Sequence, residues 1–239
     1  MATATTGFVL LDVFVPEILQ YCHGAPTILV RNTVKNVIIE FCKRTLCLKA
    51  DPAPFYLDED VHTYTLKYAS DRYVTLDILD FRKGEGDTNS ALEATTTKKL
   101  DSTQPNWRKT TGTPKLWLLT DDINTVRVYP VPSADSSEDY YVEAIVCPKK
   151  DQTEVPEFLY EKWEHVIQAG ALRKLLAMKG ASWFDRQLSR EFRQDYRRGL
   201  KNARKTTLTG IGQLPGEVTP RSYEIQGGSQ ATGRYNTWE

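Results

Sequence analysis

The stretch from Pro156 to Arg204 constrains this chain more than any other, because it reads as two helices joined by a short turn. Pro156 suits the start of a helix, Glu157 and Glu161 put negative charge near the positive end of its dipole, and Lys179-Gly180 reads as its end. Leu159, Trp163, Val166, Ile167, Gly170 and Ala171 recur at three- and four-residue steps, so one stripe is apolar. Gly170 and Ala171 in that stripe allow another helix to approach closely. The second helix is expected from about Trp183, with Phe184, Leu188, Phe192, Tyr196 and Leu200 as an i, i+4 ladder. Trp163, Gly170, Ala171, Phe184, Phe192 and Tyr196 are therefore the expected helix-packing residues. From Arg186 to Lys205 there are eight Lys or Arg against Glu191 and Asp195, a formal +6 on one helix.

The rest of the chain divides by pattern. Residues 1–50 hold an apolar N-terminal segment, in which Val15–Cys22 forms a helical turn or two, and a first long helix. In that helix Val30, Val34, Val37, Ile38 and Phe41 fall at helical spacing after Pro26. Residues 51–154 carry short β-branched or alternating runs at His62–Lys67, Tyr73–Phe81, Lys115–Leu119, Thr125–Val131 and Tyr140–Cys147, separated by Gly, Pro, Asn and Asp. The stretch Lys83–Lys99 reads as a long loop. Residues 155–205 are the helical hairpin, and residues 206–239 a glycine-interrupted tail. The expected fold is α+β: a bundle of three or more helices, built from the first helix and the C-terminal hairpin, with an inserted antiparallel β portion and an extended C-terminal tail.

Composition narrows the function. With 40% apolar and 26% charged residues the chain can build a real core, and its formal net charge is zero. A nucleic-acid role would thus rest on local basic faces, with acidic residues concentrated between Asp51 and Glu154. No apolar run approaches a membrane span, so no membrane partner is expected. Cys22, Cys42, Cys47 and Cys147 form no CxxC pair, and His23, His62 and His165 sit in no metal-binding spacing, so free thiols and no metal are expected. His165, beside Trp163, reads as a packed or capping residue. Asp58-Glu59-Asp60 and Asp121-Asp122 read as solvated turn residues, and Gly84-Glu85-Gly86-Asp87 as a loop. The chain is expected to be no enzyme and to use no cofactor.

Several segments carry a family likeness: Glu40–Thr45 (EFCKRT), Pro105–Arg108 (PNWR), Gly112–Pro114 (GTP), Val128–Pro132 (VYPVP), Pro156–Leu159 (PEFL) and Ala169–Gly180 (AGALRKLLAMKG). Trp183, Leu188, Phe192, Tyr196, Gly199 and Ala203-Arg204 complete it. This order resembles the head-to-tail adaptor, or connector, proteins of bacteriophages, mostly short-tailed ones, over most of residues 26–205. The resemblance implies a structural virion protein without catalytic chemistry. It would be a ring subunit, usually dodecameric, assembled in the host cytoplasm and seated at the head-tail junction. Its implied partners are further copies of itself, the portal protein, a tail or nozzle protein, and DNA that passes through the channel without sequence recognition. The tail residues Arg221, Tyr223, Ile225, Arg234, Tyr235 and Trp238 are large anchors spaced by glycine, the composition of a segment that orders against a portal or a neighbouring subunit. The alternative reading is a non-sequence-specific nucleic-acid-binding module that uses the basic helix 183–205, with contacts to the backbone because no base-reading motif is present.

Overall fold

The computed structural model describes residues 7–84, 91–104 and 106–209. In chain order, β1 (Phe8–Leu10) passes through a 3-10 turn (Leu11–Phe14) into α1 (Val15–Tyr21) and α2 (Thr27–Thr45). Pro16 lies in the first turn of α1, where its missing N–H costs nothing. Pro26 stands just ahead of α2, and the helix stops at Leu46, whose N–H still reaches the Cys42 carbonyl while its left-handed backbone (φ 57°) turns the chain out of the helix. The strands follow: β2 (Lys49–Ala50), β3 (Thr63–Thr65), β4 (Tyr73–Lys83) and β5 (Glu93–Ala94). After α3 (Thr97–Thr103) and a 3-10 turn (Trp107–Lys109) come β6 (Thr111–Gly112), β7 (Leu116–Leu119), β8 (Thr125–Tyr129), β9 (Val131–Pro132), β10 (Tyr140–Pro148) and β11 (Glu154–Pro156). Two long helices, α4 (Glu157–Leu175) and α5 (Arg186–Thr209), close the described chain. The fold is mixed α+β, with five α-helices among the described residues.

The central ladder is β4 against β10, antiparallel from Tyr73 opposite Pro148 to Lys83 opposite Tyr140, with β2 on the other edge of β10. From Ala144 to Pro148 β10 is buried throughout, and α2 lies against it. A second sheet runs β3-β8-β7-β5. Its turn is tied to the first sheet by Asn124, whose Oδ1 accepts from the Thr75 N–H (2.6 Å) and hydroxyl (2.9 Å) while its amide donates to the Tyr73 carbonyl (2.9 Å). The strand runs read from the sequence correspond to β3, β4, β7, β8 and β10. Two pairs depart from the antiparallel expectation, since β5 pairs with β7 and β6 with β9 in parallel. Parallel strands need a crossover, and α3 supplies one between β5 and β7. That helix takes the last three residues of the Lys83–Lys99 stretch read as a loop, and β5 takes two more; Thr96 caps the helix start by accepting from the Lys99 N–H at 3.2 Å.

The hairpin has different limits from those expected. α4 ends at Leu175, not at Lys179-Gly180, because the carbonyls of its last turn are taken by the connection: Trp183 Nε1 donates to the Leu175 carbonyl (3.2 Å) and the Asp185 N–H to the Leu176 carbonyl (3.0 Å). α5 starts at Arg186 rather than at Trp183, because Asp185 caps it by accepting from the N–H groups of Gln187 and Leu188, both at 2.9 Å. At its other end α5 runs to Thr209, beyond the expected limit at residue 205.

α2, α4 and α5 meet where two glycines remove the side chain. A Cβ on Gly170 of α4 would lie 2.5 Å from Val37 Cγ1 of α2 and 2.8 Å from the Tyr196 ring of α5. One on Gly199 of α5 would lie 2.4 Å from Val166 Cγ2 of α4. Tyr196, Ala171 and Ala203 are buried beside them. Gly170→Ala and Gly199→Ala gain about 1 kcal/mol of helix propensity, but each forces contacts that no neighbouring side chain can yield cheaply. Each variant should lose about 1–3 kcal/mol of net stability, the usual cost of overpacking. Thermal unfolding checks this, and a midpoint unchanged or raised in both variants would contradict the close approach.

Candidate functional site

The helical face formed by α2, α4 and α5 is where the residues singled out from the sequence converge. Trp163 packs its ring 5.8 Å from Phe41 of α2, Gly170 and Ala171 sit at the helix crossing, and Tyr196 is buried against them. Phe192 is half-buried and meets Tyr21 of α1 edge-on at 5.3 Å. Phe184 does not join them: it precedes the Asp185 cap, lies outside α5, and is 42% exposed. His165, expected to be packed or capping, is exposed instead. Arg221, Tyr223, Ile225, Arg234, Tyr235 and Trp238 lie outside the described residues.

The electrostatic centre of this face is Glu40 on α2. Its carboxylate takes a two-pronged bond from the Arg173 guanidinium (2.8 Å to each oxygen), a bond from Lys174 Nζ at 2.9 Å, and a looser contact from Arg44 at 3.3 Å. Burial opposes ionisation of Glu40, but the Lys174 hydrogen bond and the charges of Arg173, Lys174 and Arg44 outweigh it and hold the carboxyl below its usual range. Arg173 also stacks on the Tyr196 ring, 4.3 Å from its centroid. Burial pushes the Tyr196 hydroxyl up to about 12, so it stays neutral at physiological pH. Glu40, Gly199 and Ala203 were visible in the sequence only as members of the family motif. Nothing in their spacing disclosed that one carboxylate would serve three cations from two helices.

On the far side of α4, Gln168 donates to the carboxylates of both Glu17 of α1 and Glu164, the latter at 3.1 Å. That single amide anchors the short helix α1 to α4. The four cysteines are free. Cys42 is fully buried and hydrogen-bonded to Cys47, and these two effects push its thiol up. Among the described residues no group of His, Cys, Asp or Glu is arranged to hold a metal ion, and no helix is long and apolar enough to cross a membrane.

The family model described as SU10 adaptor protein matches residues 18–219. The chain belongs to the SU10 adaptor protein family. The matched span opens inside α1 and runs past the end of α5, so it takes in the helical face and every sheet strand except β1. The family's description points to a structural adaptor of phages, a virion component. No curated protein matches the chain.

In this SU10 adaptor family member the Glu40 cluster has a testable pH signature. A carboxyl whose folded value is depressed contributes stability above its unfolded value, and that contribution is lost as pH falls through the folded one. Glu40→Gln should therefore cost about 1–3 kcal/mol at pH 7, where a hydrogen-bonded charge is removed. The gap to the parent should shrink below about pH 4, near the usual glutamate value. Urea unfolding at both pH values measures it, and an equal gap at both would contradict the assignment.

Proposed function

We propose that this chain is a head-to-tail adaptor: a ring subunit, dodecameric by family resemblance, that joins the portal vertex to the tail machine and leaves a channel for DNA. The observation that carries this reading is the family match over residues 18–219. On this reading α2, α4 and α5 act as a three-helix bundle that forms the rigid body of the subunit, residues 51–154 are a β-rich insertion toward the tail, and the partners are portal, a tail or nozzle protein, and DNA in transit.

The small-residue crossing at Gly170 cannot be the contact between copies, because Val37 and Tyr196 of the same chain already occupy it. A better candidate is the N-terminal segment. Phe8, Leu10, Val13, Tyr21 and Ile28 are all large, apolar and exposed along that stretch of chain, a concentration suited to a contact between copies. Ring closure needs two unlike faces on each subunit, and this apolar one would meet a different face of the next copy.

Sedimentation of the purified chain, alone and mixed with portal rings, tests the proposal. The expected result is a large assembly on mixing, in a fixed ratio to portal. A chain that remains a monomer or dimer in both conditions would favour the stand-alone nucleic-acid module. The tail supplies a second prediction. Ordering its backbone costs roughly 1–2 kcal/mol per residue, which its sparse apolar anchors repay only against a partner. A chain ending at Thr209 should keep its helical circular dichroism yet fail to stay on portal-bearing heads. Undiminished attachment would remove Arg221, Tyr223, Ile225, Arg234, Tyr235 and Trp238 from the docking role.

A further inference from the structure

Along α5, Arg186, Arg190, Arg193, Arg197, Lys201 and Arg204 follow one another at steps of four, three, four, four and three residues. At 3.6 residues per turn they fall within a stripe roughly 80° wide and about 27 Å long. All six are exposed, and among the described residues none makes an ion pair. Glu191 and Asp195 lie elsewhere on the helix, roughly 120–160° from the middle of the stripe. At its C-terminal end the stripe borders a groove of about 560 Å³, where Lys43 and Arg44 of α2 face Arg197, Lys201 and Arg204 over a leucine floor. Among the described residues no carboxylate lines that groove, nor the one beside Arg186, Arg190 and Arg193. The nearest acid on α2, Glu40, is already shared by Arg44, Arg173 and Lys174.

We infer that this stripe, widened by Lys43 and Arg44, is a sequence-independent surface for the phosphate backbone of duplex DNA. An ordinary solvated helix intersperses its signs, because like charges at i, i+4 oppose the helix. Here every neighbour along the stripe has the same sign, so the arrangement is one that an external polyanion relieves. A protein partner fits less well. Stable protein interfaces have apolar centres depleted of charge, and burying six unpaired cations would cost their hydration. Duplex DNA asks for no such burial: it presents about 16 phosphates along 27 Å, and its gain is the release of counterions. Arginine supplies five of the six side chains, and its planar fork matches phosphate oxygens. Base reading has no support, since a straight basic stripe without Asn or Gln pairs positions the backbone only. The inference goes beyond the adaptor reading, because it concerns a contact of the single subunit and needs no ring.

Fluorescence anisotropy of the full chain with two unrelated 30-base-pair duplexes, from 50 to 200 mM salt, tests it. The expected result is equal affinity for both sequences and a slope of log K against log salt of about −5, from 0.9 per phosphate contact. Replacing Arg190, Arg193 and Arg197 together by Gln should reduce that slope by about 3 and weaken binding at least tenfold at 100 mM salt, with circular dichroism unchanged. Arg198→Gln, off the stripe and next to Asp195, should leave both as they were. Absence of binding at 50 mM salt, or a triple variant that binds like the parent, would overturn the inference. So would a triple variant that keeps DNA binding but loses portal, which would make the stripe a protein dock. The DNA-binding outcomes leave the adaptor reading untouched, since it stands or falls on assembly of the parent chain with portal.

Discussion

Three helices approach one another at Gly170 more closely than any side chain there would permit, and much of the molecule is arranged around that contact. Because Val37 and the Tyr196 ring occupy the space of the missing Cβ, α2 and α5 are held on either side of α4 at a fixed height. The same height brings Glu40 within reach of Arg173 and Lys174 and lays the Arg173 guanidinium over Tyr196. Packing and electrostatics thus specify one helix arrangement twice over. The β side follows, since α2 also lies on the buried half of β10, and β10 is the strand on which β2 and β4 are built.

Charge is distributed as unevenly as packing. Residues 51–154 contain nineteen acidic and twelve basic side chains, a formal −7, so the remainder of a neutral chain carries +7. The acidic turns around Asp58 and Asp135 stand by the Tyr140 end of β10, where Phe55 and Leu57 bond to it and to Ser136, whereas the end of α2 meets the opposite end, where the Val146 N–H donates to the Leu48 carbonyl. About six residues of strand, roughly 20 Å, separate the two ends. A molecule neutral in sum but polar along its length has no net self-repulsion, and its uneven field favours oriented encounter with charged partners.

Elements with strong period were legible in the sequence. The apolar steps of α2 and α4 and the β-branched runs of β4, β8 and β10 announce themselves within a few residues, because burial of one face leaves a repeat. Boundaries set by single side chains were not legible. The Asp185 cap moved the start of α5 and took Phe184 out of it, and the Trp183 indole closed α4 early. The parallel pairing of β5 with β7 depends on a seven-residue helix too short and polar to show a stripe. At the helical face, Trp163, Gly170, Ala171 and Tyr196 could be read from spacing, but the sharing of Glu40 by three cations is a product of how helices remote in sequence are brought together. The basic stripe could be read from charge count and helical spacing, whereas the exposure of its six side chains and their lack of ion pairs among the described residues became plain once the buried face of α5 was fixed.

The role proposed for this fold is that of a structural adaptor between head and tail. Electron cryo-microscopy of the neck of purified virions tests it most directly, because the α2, α4 and α5 arrangement is distinctive enough to be found in density. The expected density is a closed ring of copies directly beneath the portal, each with these three helices and with the residues after Thr209 in contact with portal or a neighbouring copy. A neck in which that position is filled by another protein, with this chain absent from the particle, would contradict it.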